Sequence, residues 1–214
     1  MSTVCMTRED LVKLVTRLVV ERLQSGPSIP FGISNRHIHL SRADMDVLFG
    51  KGSELTWKQD LKQPGQYACQ ETVIVRGPKG EFKKVRVLGP LRPETQLEIS
   101  KTDSFALGVS TPVRESGDVA GTPGIKMVGP AGELEITEGV IIAKRHIHFT
   151  PDEAAAAGVS DKQIVKVKIN SERNTIFDDE VCRVSDSYAP AMHIDTDECN
   201  AAAAFGQVYG EIVK

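Results

Sequence analysis

The tetrapeptide Arg-His-Ile-His occurs twice in this chain, at residues 36–39 within GISNRHIHLSRAD and at 145–148 within IIAKRHIHFTPDE. In an extended strand, side chains two apart share a face and lie roughly 6.5–7 Å apart along the chain. His37 and His39, and again His146 and His148, can therefore turn both imidazoles toward one ion. Zinc takes imidazole nitrogen at about 2.0–2.1 Å. Ile38 and Ile147 point the other way, where a half-buried strand needs an apolar residue. The chain has five histidines, and four of them stand in these pairs. The fifth, His193 in MHIDTDECN, lies in another strand-like run. Histidines spent this way point to metal binding rather than to packing.

Each pair supplies two ligands, whereas a catalytic zinc takes three and keeps a position open. His193 can complete one set. The other needs a carboxylate or a thiolate, and Glu98, Asp103, Asp44, Glu153 and Cys69 are the candidates. Glu98 stands between Leu97 and Ile99 in TQLEIS, so on a strand it faces away from both and can look into a site. Cationic groups gather nearby in sequence. Arg86 and Arg92 flank the Gly-Pro turn of RVLGPLRPE, and Lys79 sits in the preceding GPKG turn. Arginine's planar fork matches phosphate or carboxylate, and lysine adds a mobile point charge. No P-loop, no GxGxxG after a strand and no GxSxG occurs, which argues against those nucleotide-binding modes and against serine hydrolase chemistry.

The elements that must position these residues are mostly strands. Short Val- and Ile-rich runs (TVIVRG, KKVRVLG, GVIIAKRHIHF, QIVKVKI) alternate with turn residues. GPKGEF at 77–82 and GPAGEL at 129–134 are similar hairpin turns. Two short helices are expected in this body, one after Ser41 and one after Thr150. Each cap is followed by an acid in the first turn, and Pro151 suits the first helical position. The repeat is thus longer than four residues: strand, Arg-His-Ile-His, Leu or Phe, Ser or Thr cap, helix. The fold class expected is mainly β, two small related β-barrels capped by short helices. Ahead of them, residues 7–27 read as an amphipathic helix with Thr7 as its cap. Leu11, Leu14, Val15, Leu18, Val19 and Leu23 form one apolar stripe, and Gly26-Pro27 ends it.

Composition narrows the function classes. Lys+Arg number 26 against Asp+Glu 29, unlike a generic nucleic-acid-binding surface. No apolar run approaches the roughly 18 residues of a membrane span, and the N-terminus lacks the order of a secretory signal. The four cysteines are scattered without CxxC spacing, as in a reduced, intracellular protein.

SNRHIHLS, QPGQYA, GPKG, VRVLGPLR, QLEIS, the TPGI segment, the second RHIH and MHIDTDE, in that order, resemble the phosphate propanoyltransferases of bacterial microcompartments over nearly all of residues 30–200. The resemblance implies transfer of a short acyl group between coenzyme A and phosphate at two zinc ions, with propanoyl as the namesake and acetyl as an alternative. One methylene is worth only about 1–3 kcal/mol in such discrimination. It further implies that His37, His39 and Glu98 hold one zinc, or another divalent ion, and that His146, His148 and His193 hold the other. Arg92 would contact phosphate. Ile33, Ser34 and Asn35 would line coenzyme A, with Lys79, Arg86 and Asn200 nearby. Residues 1–27 would be an encapsulation peptide and linker docking on shell or core proteins. The enzyme would be a cytoplasmic homo-oligomer inside a microcompartment, with no nucleic-acid or membrane partner. Residues 28–143 would build mostly the first barrel and 144–214 the second, with the first strand (about 28–36) joining the second barrel. Two other readings compete. A two-domain cupin oxygenase or isomerase also uses His-x-His with a nearby acid, here Asp44 or Glu153. A non-enzymatic, shell-associated metal-binding adaptor would need little beyond the N-terminal helix.

Overall fold

Thr7 opens the first helix, α1 (Arg8–Gln24), by accepting from the backbone N–H of Asp10 at 3.1 Å while Asp10 reaches back to the Thr7 hydroxyl. The computed structural model describes residues 7–24, 28–206 and 208–213. Leu11, Leu14 and Val15 of the expected stripe are exposed. The side chains of Leu18, Val19 and Leu23, and the Gly26-Pro27 stop, lie outside the described residues.

The chain continues through β1 (Ile29–Ser34), β2 (His37–His39), α2 (Arg42–Phe49), β3 (Trp57–Asp60), β4 (Tyr67–Arg76), β5 (Glu81–Gly89) and β6 (Gln96–Glu98). Next come α3 (Lys101–Leu107), β7 (Val113–Arg114), β8 (Ile125–Val128), β9 (Glu133–Ile136) and β10 (Val140–Ala143). The C-terminal part holds β11 (His146–Phe149), α4 (Pro151–Ala157), β12 (Ile164–Ile169), β13 (Thr175–Val184), β14 (Ala191–Asp195), α5 (Thr196–Ala202) and β15 (Tyr209–Val213).

Six strands close a barrel in the order β1-β14-β11-β13-β12-β15, around Phe31, Ile147, Phe149, Val167 and Met192. The middle of the chain forms a second sheet, β7-β10-β6-β2-β5-β4-β8-β9, with β3 beside β4 and a core of Ile38, Leu40, Val73, Val85, Leu97 and Met127. This sheet curls into a half-barrel. Closure would need a ladder between its end strands, and β7 is only two residues long. The apolar run through GVIIAKRHIHF is accordingly two strands in two sheets, β10 in the half-barrel and β11 in the closed barrel, joined at Lys144–Arg145. The chain crosses in the opposite sense at Asn35–Arg36. Each Arg-His-Ile-His therefore starts at a seam between the units.

Ile38 and Ile147 are fully buried, one in each core, as strand alternation requires. Ser41 caps α2 by accepting from the Asp44 N–H, and Thr150 and Glu153 form a full capping box on α4. Two helices in the body were not expected, α3 and α5. Seven residues are too few to show a helical period, but both carry capping boxes, Ser100 with Asp103 and Asp195 with Glu198. The two GPxG turns do more than join strands. Each closes on itself (Gly77 N–H to Gly80, Gly129 N–H to Gly132, both 2.9 Å) and donates its third N–H to a helix end, Lys79 to Leu107 and Ala131 to Leu48, at 3.0 Å. A side chain on Gly77 or Gly129 would start 2.2 Å from that helix carbonyl, which explains the glycine.

Candidate metal centre

His37 on β2 lies opposite Glu98 on β6, and His146 on β11 lies opposite His193 on β14; both pairings are antiparallel. Since His39 and His148 follow on the same faces, each pair of strands delivers three ligands to one point. The ligand atoms of His37, His39 and Glu98 lie within 4.8 Å of one another, and so do those of His146, His148 and His193. Glu98 and His193 are thus equivalent positions in a longer repeat. Each is followed by Ile, a helix cap and, three residues past the cap, an acid: Glu98-Ile99-Ser100…Asp103 and His193-Ile194-Asp195…Glu198. Arg36 and Arg145 lock this arrangement. Arg36 binds Asp103 through two hydrogen bonds of 2.9 and 2.6 Å, and Arg145 reaches Glu198 at 3.2 Å. The first residue of each Arg-His-Ile-His therefore ties the two-ligand strand to the helix behind the third ligand.

The other candidates for third ligand are spent elsewhere. Asp103 is held by Arg36, Asp44 accepts from the Thr95 hydroxyl, Glu153 serves its own helix cap, and Cys69 is buried in the half-barrel core. With Asp44 and Glu153 at helix starts, the acid that a cupin needs is missing from both histidine pairs.

The donor sets fit a divalent metal. The Nδ1 atoms of His37 and His146 lie 2.8 Å from the carbonyls of Asn35 and Lys144, two residues back, which leaves each Nε2 facing its triad. Such outer partners fix the ring and the tautomer of a ligating histidine. Nδ1 of His39, Nδ1 of His148 and Nε2 of His193 are buried with no hydrogen-bond partner among the described residues. An unpartnered buried nitrogen is costly, and coordination would satisfy all three. Glu98 is held the same way. Its Oε1 accepts from Gln96 Nε2 at 2.6 Å and from Ser116 Oγ at 3.0 Å, leaving Oε2 3.5 Å from His37 Nε2. Ser116 in turn accepts from Arg92 Nη1 at 3.1 Å, so the chain Arg92–Ser116–Glu98 is continuous.

Burial dominates the electrostatics. It pushes His39 down to about 3, His148 to about 2 and His193 to about 3, with neighbouring imidazoles adding to the effect. Burial opposes the charge of Glu98, yet His37, His39 and Arg92 hold its carboxyl well below the usual carboxylate range. His37 goes the other way: burial lowers it, but Glu98 raises it more. A histidine depressed in the fold contributes stability present above about pH 6.5 and lost as pH falls toward its folded value. Buried Glu180 and half-buried Glu198 are raised to about 9 and about 7; their contribution is present below about pH 4.5 and lost as pH rises, so it opposes that of the histidines where the two ranges overlap. Melting curves would mix the two, so ring signals are the cleaner readout. In chelator-treated protein, the ring protons of His39, His148 and His193 are expected to stay in their neutral positions from pH 8 to pH 5 in an NMR titration. A midpoint near 6.5 for any of them would contradict the burial described above.

Both triads open on one cleft of about 690 Å³ between the two units. Arg92, Ile33, Ser34, Asn35 and Arg86 line it as well. Arg86 also donates to the carbonyls of Cys69 and Gln70 at 2.8 Å. Lys79 and Asn200 are not in its wall: Lys79 packs on Gly108 at the end of α3, and Asn200 is exposed on α5. Several residues of the site escaped the sequence reading. Gln96 precedes Glu98 by two residues on the same strand face and donates to it, and strand periodicity could have found it. Ser116 sits in an irregular polar segment that carries no such signal. Gln63 is buried and pins the half-barrel to the barrel, donating to the Ala189 carbonyl at 2.8 Å and accepting from its N–H at 3.2 Å. This pin sets Tyr188, whose ring lies 4.3 Å from that of His148.

A family model described as phosphate propanoyltransferase matches residues 30–205. A phosphate propanoyltransferase from Thermotoga maritima is 57% identical over 187 residues, covering 87% of this chain and 89% of the relative. Proteins of the same name from Listeria monocytogenes and Clostridioides difficile are 49% and 48% identical, over 205 and 206 residues. They cover 96% of this chain in both cases, and 94% and 99% of the relatives.

Proposed function

The chain belongs to the phosphate propanoyltransferase family, and from that premise we propose that it moves a short acyl group, propanoyl first, between coenzyme A and inorganic phosphate by direct attack of phosphate on the thioester at a two-metal site. The observation that carries the two-metal reading is the pair of equivalent three-ligand sets, three of whose nitrogens are buried without a partner. Divalent ions there, zinc first by the donor types, would supply Lewis acidity toward the thioester carbonyl and the phosphate oxygens.

The protein's own groups do the rest. Arg92, oriented by Ser116, grips the phosphate and holds one oxygen toward the carbonyl carbon, which removes much of the entropic cost of bringing the two substrates together. That oxygen forms the new C–O bond as the C–S bond breaks. The proton of hydrogen phosphate passes to the departing thiolate, so acyl-CoA and phosphate become acyl phosphate and free coenzyme A. Exposed Ile33 and half-buried Ser34 on the rim of β1 offer a wall for the pantetheine arm. An acyl-cysteine route finds no support among the cysteines of the described residues. Cys69 and Cys182 are pushed up to about 11 by burial, and Cys199 is buried and raised, its thiol donating to the Ala204 carbonyl at 3.1 Å. Phosphate-dependent release of free thiol from propanoyl-CoA, lost on chelation and restored by zinc, tests the whole reading. A cupin would need another substrate, and an adaptor would give no turnover.

The microcompartment assignment rests on α1. Its residues 8–16 are all exposed, Leu11, Leu14 and Val15 included, so this apolar face is open to a partner. Deleting residues 1–27 is expected to leave turnover of the purified enzyme within about twofold while abolishing enclosure in shells. No helix among the described residues is long and apolar enough to cross a membrane. An enzyme lacking residues 1–27 that was still enclosed would remove the docking role.

A further inference from the structure

Arg183 faces the same cleft as Arg92 but comes from the other unit. On β13 it pairs in register with His148 on β11, so its side chain stands on the face that carries the histidine triad. It also stands beside His146 and Ser116. Among the described residues Arg183 makes no salt bridge and no side-chain hydrogen bond. Glu115, whose charge Lys162 and, less, Arg183 favour, is already bound to Lys162 at 2.6 Å. Its guanidinium is instead steadied over the Tyr188 ring, 5.9 Å from the centroid. Arg92 is half-buried on the opposite wall; burial disfavours its charge, Glu98 favours it, and Arg183 disfavours it again. Two arginines thus line one cleft in which the only buried carboxylate among the described lining residues, Glu98, is occupied by its own triad and by Gln96 and Ser116. Such a pair is stable when a dianion sits between, since each planar fork can take two oxygens.

We infer that Arg183 is a second arm of the phosphate site, closing on the phosphoryl group from the barrel side while Arg92 holds it from the half-barrel side. The two arms are not copies of one another in the duplicated fold. The residue equivalent to Arg183 beside β2 is Leu88, which follows Val87 as Arg183 follows Cys182. The duplication thus supplied both metal sets, whereas each unit acquired its arginine at a different place. A clamp of this kind rests on the acyl transfer proposed above, and it adds a requirement: phosphate must touch both units at once.

The test uses the full-length, metal-loaded enzyme and the variants Arg183→Gln and Arg183→Lys. A charged hydrogen bond of this type corresponds to about a 10- to 100-fold change. KM for phosphate is expected to rise by that factor in Arg183→Gln, with KM for propanoyl-CoA within about twofold, and Arg183→Lys should fall between. Inorganic phosphate alone should raise the melting temperature of the wild type and not that of Arg183→Gln. An unchanged KM for phosphate in Arg183→Gln, or a shift confined to propanoyl-CoA, overturns the inference; the second result would place Arg183 on the phosphates of coenzyme A. If the wild type lacked phosphate-dependent thiol release, the functional reading would fall while the melting experiment still decided whether Arg183 binds phosphate.

Discussion

Replacing His193 with alanine is expected to give a folded protein that holds one metal per chain instead of two and turns over more than about 100-fold more slowly. Loss of partners that merely orient a ligand costs about 10- to 100-fold, and loss of the ligand itself should exceed that. The fold should survive for two reasons. His193 contributes a buried nitrogen with no hydrogen bond, so its removal breaks no protein contact of that kind. Its ring also lines the cleft, where water can replace it. The set of His37, His39 and Glu98 stands on the other sheet, with its own supports, so it should keep its ion. Metal analysis, a melting curve and the thiol-release assay on one preparation decide the matter. Two metals retained, or undiminished turnover, would exclude His193 as a ligand.

The two sets differ in charge although they match in register. Three neutral imidazoles leave an ion its full charge, whereas Glu98 cancels one unit of it. The all-histidine set on the barrel is then the stronger attractor for an anionic oxygen, and the Glu98 set the weaker. Arg92 stands on the weaker side through Ser116, so cationic charge is spread over both walls of the cleft.

Much of this was legible in the sequence because it rests on short-range rules. Strand alternation placed His37 with His39 and His146 with His148 and sent Ile38 and Ile147 into the cores. Cap chemistry marked α2 and α4 from Ser41 and Thr150. Glu98 was one of five candidates until strand register set it opposite His37, yet the pattern ligand-Ile-cap-x-x-acid, shared with His193, was present all along. It was hard to see because the two acids, Asp103 and Glu198, serve helix caps and arginines rather than the triads. Residues whose roles depend on long-range closure left no trace. Ser116, Gln63 and Arg183 meet the cleft from segments far apart in sequence, and nothing local distinguishes them from surface polar residues. The opening of the second sheet was also hidden, since it depends on how short β7 is.

Replacing Arg92 with glutamine should lower kcat/KM by about 100- to 1000-fold, the scale seen when one preorganised donor to a developing charge is removed. Its metal content should stay at two per chain, which separates this variant from His193→Ala. Glu98 would keep Gln96 at 2.6 Å and Ser116 at 3.0 Å on Oε1, so the ligand set has no reason to collapse. Lysine at the same position should recover only part of the loss, because a point charge cannot hold two phosphate oxygens in one plane. The defect should appear in KM for phosphate and in kcat, but little in KM for propanoyl-CoA. Steady-state kinetics with each substrate varied in turn checks this. If Arg92→Gln retained wild-type kcat/KM for phosphate, the dianion would have to be held by Arg183 and the metals alone, and attack would come from the barrel side of the cleft.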